Sequence, residues 1–482
     1  MPKTVTLQFS PTYCTLAEDP EVEVEELLYT KLAYHPAGYF FSPKFQARIW
    51  DGFTRLYYPN VKRFRIGLLS RVENLLAEQG YEVVVRGRPE AREFLQRATT
   101  YQLREYQRQA ATVICQKRFG ILQAPMRSGK TMMFIAVVDS ERQFPVIFFC
   151  RSLDLAYQTR DRLRQFLPDV SVGLVGDGQA DIGDVTIITI QSAFAAYSKA
   201  CPEKNLSPER GFVLQQRLDV ARLIQKAKLV FYDEVHHIGA ITSRFILDKC
   251  IGTTMKIGLS ATPFSGKDED MLVEQSAGPV IHSVSYSDLI REGFLLRPYI
   301  YMYKLPKMAL DDSYPTVYKY AVVNNQYLTG LIVRLVQELN HMGKSVVVQT
   351  ELLNHTAKLG KAIGCPTLTG KDTTDYRQEM IKNLNSKQIL CLVSTLFEEG
   401  LDVPTLDYTI NAAGGLSNIA TLQRMRSITA STGKDSCGII DFQHQCKYLD
   451  NHSKIRKRLY KSEPEFVFEL RDISDLTLEE LQ

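Results

Sequence analysis

The chain has 482 residues, 45% of them hydrophobic, and a formal net charge of +4. That length suggests about three domains, and the composition supplies packed cores, which excludes a disordered chain. So small a net charge does not diagnose a nucleic-acid partner, and only the local distribution of charge can. No charged segment followed by an apolar one opens the sequence, and no apolar stretch approaches the ~20 residues that span a bilayer. The nine cysteines are scattered without a CxxC pair, several of them in apolar runs where a thiol behaves as a small hydrophobe. These features lead us to expect a soluble cytoplasmic protein with no membrane partner.

Residues 1–95 read as a separate small α+β domain. Glu18, Asp19, Glu21, Glu23, Glu25 and Glu26 precede Lys31, Lys44, Arg48, Arg55, Lys62, Arg63, Arg65 and Arg71, with only Asp51 opposing the basic set. Nine aromatic residues between Tyr39 and Phe64 interleave with those cations. The combination permits phosphate contact through residues such as Lys44, Arg48 and Arg55, with unpaired bases stacking on the rings. The other reading makes the aromatics a core and the cations a solvated face. Trp50, before Asp51-Gly52, suits core and turn better than a wedge between bases.

From 96 to 285, apolar strands alternate with helical patterns, the rhythm of a parallel sheet covered by helices. Within it the run Phe119-Gly120-Ile121-Leu122 leads through Pro125-Met126-Arg127-Ser128-Gly129-Lys130-Thr131 into an apolar helix, the arrangement of a phosphate cradle. Backbone N–H groups at the helix start, including those around Ser128 and Gly129, would face phosphates. Lys130 supplies a mobile charge for the β and γ phosphates, and the Thr131 hydroxyl suits Mg²⁺. Ala124 and Arg127 occupy positions often held by glycine, so only Gly129 remains to relax the turn.

Lys228-Leu229-Val230-Phe231-Tyr232 ends in Asp233-Glu234, so both carboxylates would emerge at the C-terminal edge of a buried parallel strand. Asp233 is placed to hold Mg²⁺, and Glu234 to orient or deprotonate an attacking water. The other reading makes the pair solvated caps of the next helix. His236 and His237 do not share a helix face and have no partner at a ligand spacing such as i+4, so we reject a metal site. His236 is expected instead to couple the nucleotide site to Ser260-Ala261-Thr262.

The stretch from Ser285 to about Gln326, with Gly293, Pro298, Pro306 and Pro315, reads as an interdomain connector. Residues 286–482 hold a second series of apolar strands, from Ser345-Val346-Val347-Val348 to Cys437-Gly438-Ile439-Ile440, and form a second α/β domain. A basic helical stretch from His452 to Arg458 reads equally as a contact to DNA backbone or as a solvated face.

With these blocks in order, the chain resembles the superfamily 2 DExH helicases, most closely the phage branch-migration helicases of the T-even recombination type. The resemblance implies two tandem RecA-like parallel-sheet domains, 96–285 and 286–482, behind the accessory domain 1–95. It also implies residue roles. Leu103-Arg104-Glu105-Tyr106-Gln107 is similar to the adenine-reading motif, with Gln107 on the adenine edge and Arg104 stacked on its face. Cys150-Arg151 through Gln158, and Thr189-Ile190-Gln191-Ser192, resemble blocks that touch a strand's phosphodiester backbone. Leu368-Thr369-Gly370-Lys371 and Val393-Ser394-Thr395 resemble strand contacts of the second domain, and Gly400 and Asp402 lie near the nucleotide.

One motif departs from the family. Where Q-x-x-G-R-x-x-R is usual, the chain reads Gln423-Arg424-Met425-Arg426-Ser427-Ile428-Thr429-Ala430. Without a gap the expected arginines become Ser427 and Ala430. Deleting the glycine position makes Arg426 the first arginine, and Arg426 is preferred as the catalytic finger. Phe41-Ser42-Pro43-Lys44-Phe45 with Ile49-Trp50-Asp51-Gly52 looks like the phage enzymes' accessory domain. Together these features predict an ATP- and Mg²⁺-dependent helicase that branch-migrates DNA forks, displaced loops and junctions without strong sequence specificity. An RNA helicase, a duplex translocase and a non-enzymatic ATP-switched clamp are the alternatives.

Overall fold

The computed structural model describes residues 3–17, 20–198, 208–266, 268–396, 403–415, 434 and 437–472. The chain folds into two compact units, Met1–Pro125 with Gly129–Ser283, and Met126–Ser128 with Val284–Gln482. The eight-stranded sheet of the first unit runs, edge to edge, Gln179–Ala180, Val172–Gly176, Val185–Thr189, Val146–Cys150, Leu229–Asp233, Met255–Ser260, Phe119–Gln123 and Val280–Ser283. All pairs but the outermost, Val172–Gly176 with Gln179–Ala180, are parallel. Its central strands VIFFC, VTIIT and LVFYD are buried at every position. Continuous β-branched and aromatic runs suit strands with helices on both faces, where alternation would leave a polar side chain without water.

The same unit contains a second, five-stranded sheet in the order Tyr57–Tyr58, Arg63–Arg65, Tyr13–Leu16, Lys3–Phe9 and Tyr81–Arg86. Only the last pair is parallel. The helices Val22–Lys31 and Leu69–Glu78 bury Val24, Leu28, Val72 and Leu76 against this sheet. Tyr57 and Phe64 belong to this core, whereas Phe40 and Phe41 are exposed, Phe41 at 74%. The aromatics therefore divide between both readings made from sequence. Trp50 closes a turn, its indole N–H donating to the Phe53 carbonyl at 2.8 Å.

Two cations of the basic set, Arg65 and Arg71, pair with carboxylates beside the large sheet of this unit. Arg65 forms a forked ion pair with Asp248, and Arg71 donates from Nε to Glu274 at 3.1 Å. Buried Lys256 donates to the Pro11 carbonyl at 3.0 Å, and burial holds its pKa below the ordinary lysine value. Gly67 lies so close to the Glu274 and Gln275 backbone that any Cβ there would overlap it. Charge runs leave their solvated or paired state unspecified, because the acidic partners lie about two hundred residues away in sequence.

In the second unit a seven-stranded, wholly parallel sheet runs Thr367–Leu368, Cys391–Ser394, Val346–Gln349, Tyr408–Asn411, Cys437–Gln445, Pro298–Lys307 and Val467–Asp472. The expected connector is therefore largely structure. Its prolines mark strand ends: Pro298 opens a strand in which Ile300, Met302 and Tyr303 are buried, and Pro306 falls where the pairing register shifts. The basic stretch lies in the helix Leu449–Lys461, and its Arg456 is 0% exposed. That guanidinium donates to both Asp441 oxygens at 2.8 and 3.0 Å and to the Gly415 carbonyl at 2.8 Å, and Tyr460 adds a hydroxyl to Asp441 at 2.8 Å. This residue ties the helix to the sheet and is not available to DNA.

Burial opposes ionisation of Asp441, but the Arg456 charge and hydrogen bonds outweigh it and hold the carboxyl below its usual range. The folded pKa is depressed, so this contribution to stability is complete above the unfolded value of about 3.9 and is lost as pH falls through the folded one. Arg456→Ala strands a buried carboxylate and is expected to destabilise the second unit by about 3–5 kcal/mol at neutral pH in denaturant unfolding. The deficit should shrink as pH falls, first above the unfolded value of about 3.9, where the stranded Asp441 of the variant takes up its proton, and further below it, where the parent's contribution is lost.

Candidate active site

Three strands adjacent in the first unit's large sheet, Leu229–Asp233, Met255–Ser260 and Phe119–Gln123, end at one edge because they are parallel. Asp233 is in register with Leu259, and Ser260 with Gln123. The chain leaves Phe119–Gln123, forms the helix Lys130–Glu141, and crosses beyond the other two strands to Val146–Cys150. This crossover leaves an opening at the carboxyl edge where ligands of such sheets bind. It brings the 124–131 loop, Asp233-Glu234 and Ser260-Thr262 to neighbouring strand ends.

Gly129 caps the helix start with φ +81°, a left-handed conformation that L side chains rarely adopt. A Cβ there would overlap the Gln107 amide. Arg127 also has positive φ, +65°, so the turn uses a left-handed arginine where glycine is usual. Ser128 is buried, and Thr131 sits half-buried in the first helical turn. Lys130 Nζ donates to the Ala124 and Pro125 carbonyls at 3.2 and 3.3 Å, folding the ammonium back over the loop. Gln107 is buried at N3 of the helix Glu105–Lys117, and its Oε1 accepts from the Arg104 N–H at 3.1 Å. The exposed Arg104 guanidinium reaches the Tyr106 hydroxyl at 3.3 Å. Gln107 thus caps its helix and packs against the glycine of the loop at once.

Asp233 is buried at its strand end, and Glu234 has φ +49°, a strained conformation for a non-glycine residue that functional sites often retain. Burial, then the Glu234 charge, push the Asp233 carboxyl up to about 7, with Lys130 pulling the other way. His236 Nδ1 lies 3.4 Å from Glu234 Oε2 and 3.2 Å from Ser260 Oγ. Ser260 Oγ in turn accepts from the Thr262 N–H at 3.2 Å, and the buried Thr262 hydroxyl has no hydrogen-bond partner among the described residues. Burial, aided by the charges of His237, Arg151 and Lys130, pushes His236 down to about 3, so its imidazole is neutral at pH 7. The structure thus joins the three residues expected to couple, through a neutral ring.

The donor chemistry fits a magnesium nucleotide. A buried carboxylate raised by its neighbour's charge is a site that a divalent cation stabilises, and Thr131 and Asp233 offer the hard oxygens that Mg²⁺ prefers alongside phosphate. The histidines are otherwise engaged. Their rings lie 4.0 Å apart, and His237 Nε2 lies 2.6 Å from Arg151 Nη1.

The remaining expected residues are more dispersed. Gln158 and Gln191 are exposed, and the Ser192 hydroxyl lies 2.8 Å from Thr189 Oγ1. In the second unit the Thr369 hydroxyl donates to Asp372 at 2.9 Å, and Thr395 follows the strand Cys391–Ser394 with its N–H on the Leu368 carbonyl at 3.1 Å. Lys44 and Arg48 are exposed, whereas Arg55 pairs with Asp51 and lies 4.3 Å from the Tyr29 ring centre. Gly400, Asp402, Gln423 and Arg426 lie outside the described residues. Sequence reasoning assigned no role to His237. The signal available was its place after Asp233-Glu234, but its partner Arg151 is 86 residues away.

Two family descriptions match the chain: the res subunit of type III restriction enzymes over residues 100–265, and the helicase conserved C-terminal domain over 328–426. A DNA 3′-5′ translocase, XPB2, of Sulfurisphaera tokodaii is 22% identical over 385 residues, covering 70% of this chain and 80% of that protein. Among solved structures, a fragment of an HsdR subunit of a type I restriction enzyme from Vibrio vulnificus aligns with 87% of this chain and 78% of its own at 13% identity and TM-score 0.54. The helicase UvsW of bacteriophage T4 aligns with 98% of this chain and 99% of its own at 16% identity and TM-score 0.45. The sheets of both units are RecA-like.

Gly129→Ala adds a methyl group where φ is positive and the Gln107 amide is in the way. We expect at least a tenfold loss of affinity for a fluorescent ATP analogue, with the melting temperature lowered by only a few degrees, as for a local backbone strain of about 1–3 kcal/mol.

Proposed function

The chain is a superfamily 2 DNA helicase, and from that premise we propose that it is an ATP-driven motor that branch-migrates forks, displaced loops and four-way junctions. The observation that carries the reading is the meeting of Lys130, Asp233, Glu234, His236 and Ser260 at neighbouring strand ends. In this reading residues 1–95 select the DNA structure, and 96–285 and 286–482 are the two halves of the motor.

Lys130 would leave its loop carbonyls to neutralise phosphate charge, and Thr131 and Asp233 would hold Mg²⁺, which would supply positive charge against that developing on the phosphate. Glu234 orients the attacking water and takes up its proton. Its contact with neutral His236 fixes the carboxylate's direction and links it to Ser260 and Thr262. The strain at Glu234 and the unpartnered Thr262 hydroxyl suit a site whose hydrogen bonds rearrange with the nucleotide. Arg426 is the proposed finger, a group worth about 10³–10⁵ in rate.

Arg151, Gln158, Gln191, Ser192, Thr369 and Thr395 are proposed to follow a strand through its phosphates, so sequence specificity should be small and salt dependence steep. Opening a base-pair step costs about 0.6–2.2 kcal/mol, and branch migration re-forms roughly what it melts, so hydrolysis mainly supplies direction. Exposed Phe40, Phe41, Lys44 and Arg48 are the proposed junction contacts of residues 1–95.

The test is ATP hydrolysis without nucleic acid and with single-stranded DNA, single-stranded RNA, duplex DNA or a four-way junction. We expect the greatest stimulation with the junction, its loss in Glu234→Gln, and in Arg426→Ala a fall of at least 10³-fold with ATP binding retained. Stimulation by RNA alone would move the assignment to RNA remodelling, and ATP binding without turnover would make the protein a clamp.

A further inference from the structure

Arg151 follows the strand Val146–Cys150, and His237 follows Leu229–Asp233, the neighbouring parallel strand, with Phe149 in register with Tyr232. The two residues therefore emerge side by side. Arg151 Nη1 lies 2.6 Å from His237 Nε2, the one hydrogen bond recorded for this guanidinium among the described residues. An arginine has no acceptor atom and stays charged, so the imidazole must accept and must be neutral. Burial, and next to it the Arg151 charge, push His237 down to about 4, in agreement with that geometry.

The other side of His237 faces the chemistry. Its ring lies 4.0 Å from that of His236, whose Nδ1 lies within 3.4 Å of both Glu234 Oε2 and Ser260 Oγ. The backbone between them is short and tied, with the His237 N–H on the Glu234 carbonyl at 3.0 Å. The main chain and the contact of the two rings, tilted at 48°, thus connect Glu234 to His237, and the hydrogen bond connects His237 to Arg151.

We propose that His237 is a positioning residue, which holds the Arg151 guanidinium at the sheet edge for a DNA phosphate and makes that contact follow the state of the nucleotide site. The inference rests on the reading of Arg151 as a strand contact. The imidazole takes Nη1, and the exposed Arg151 side chain keeps further N–H donors for a phosphate, which is then held without the entropic cost of ordering a free arginine. Its adjacent partner, His236, serves the carboxylate, and together the two histidines connect hydrolysis to grip.

The experiment measures binding of labelled single-stranded DNA over a salt series, with and without a non-hydrolysable ATP analogue, for the full chain and for Arg151→Ala, His237→Ala, His237→Gln and the double alanine variant. Arg151→Ala should weaken DNA binding about tenfold and reduce the salt slope by about 0.7, the loss of one phosphate contact. His237→Ala should weaken binding in the same direction and abolish the change in affinity on adding the analogue. The double variant should be no worse than Arg151→Ala, and His237→Gln, whose amide oxygen accepts the same N–H, should restore most of the response. Parent-like affinity and nucleotide response in His237→Ala, beside an impaired Arg151→Ala, would overturn the inference while leaving Arg151 a strand contact. Parent-like binding in Arg151→Ala would remove that reading and the inference with it, leaving the motor assignment to the hydrolysis test with Glu234→Gln.

Discussion

The active site depends on one crossover. If the chain passed from Phe119–Gln123 directly to a neighbouring strand, the phosphate loop would be separated from Asp233 and Ser260 by intervening strands. Instead the helix beginning at Lys130 carries the chain past two positions, later filled by Leu229–Asp233 and Met255–Ser260. Parallel strands direct all three carboxyl ends the same way, and strands about 4.8 Å apart leave their terminal side chains within reach of one another. Backbone hydrogen bonding therefore brings together strand ends that lie more than a hundred residues apart in sequence, Gln123 with Asp233 and Ser260.

The cost of that arrangement is visible in the site. Asp233 is raised by burial and by Glu234, Glu234 takes a left-handed conformation, and Lys130 donates to the Ala124 and Pro125 carbonyls of its own loop. In the proposed function each is a group that the charge of a magnesium nucleotide would satisfy. Around them the fold is conservative: continuous apolar strands, capped helices, and neutral histidines whose burial keeps further positive charge from the site. Two of the positive-φ non-glycine residues, Arg127 and Glu234, lie at this edge, where surrounding structure over-determines a local conformation.

The first unit joins its two sheets through apolar packing of Phe119, Met271 and Leu272 against the N-terminal core and through charged and polar contacts: Arg65 with Asp248, Arg71 with Glu274, Lys256 with the Pro11 carbonyl, and the Ala37 N–H with Glu269 at 2.8 Å. Glu269 and Glu274 flank and occupy the helix Asp270–Ala277, which follows the Ser260–Thr262 segment in the chain. The small N-terminal sheet is thus fastened next to the element that leaves the active site. In the second unit, Arg456 serves a comparable purpose within one domain, joining helix to sheet through Asp441.

The sequence by itself determined the main strands and helices of the first unit's large sheet and the residue types that end its strands. Apolar runs of strand length, a glycine before Lys130-Thr131, and two carboxylates ending a strand are local patterns, and local patterns are set by neighbours a few residues away. From sequence His236 is also paired with Ser260-Ala261-Thr262, and the structure places its Nδ1 3.2 Å from Ser260 Oγ. What only the tertiary structure decided depended on distant partners. Whether Arg65, Arg71 and Arg456 met solvent, DNA or a carboxylate was undetermined until Asp248, Glu274 and Asp441 came near. The strand Pro298–Lys307 was hidden by prolines that read as a connector, because register with Cys437–Gln445 is a long-range property. The meeting of Arg151 and His237 has the same origin: strand order, which no short stretch of sequence encodes, placed their two strand ends side by side.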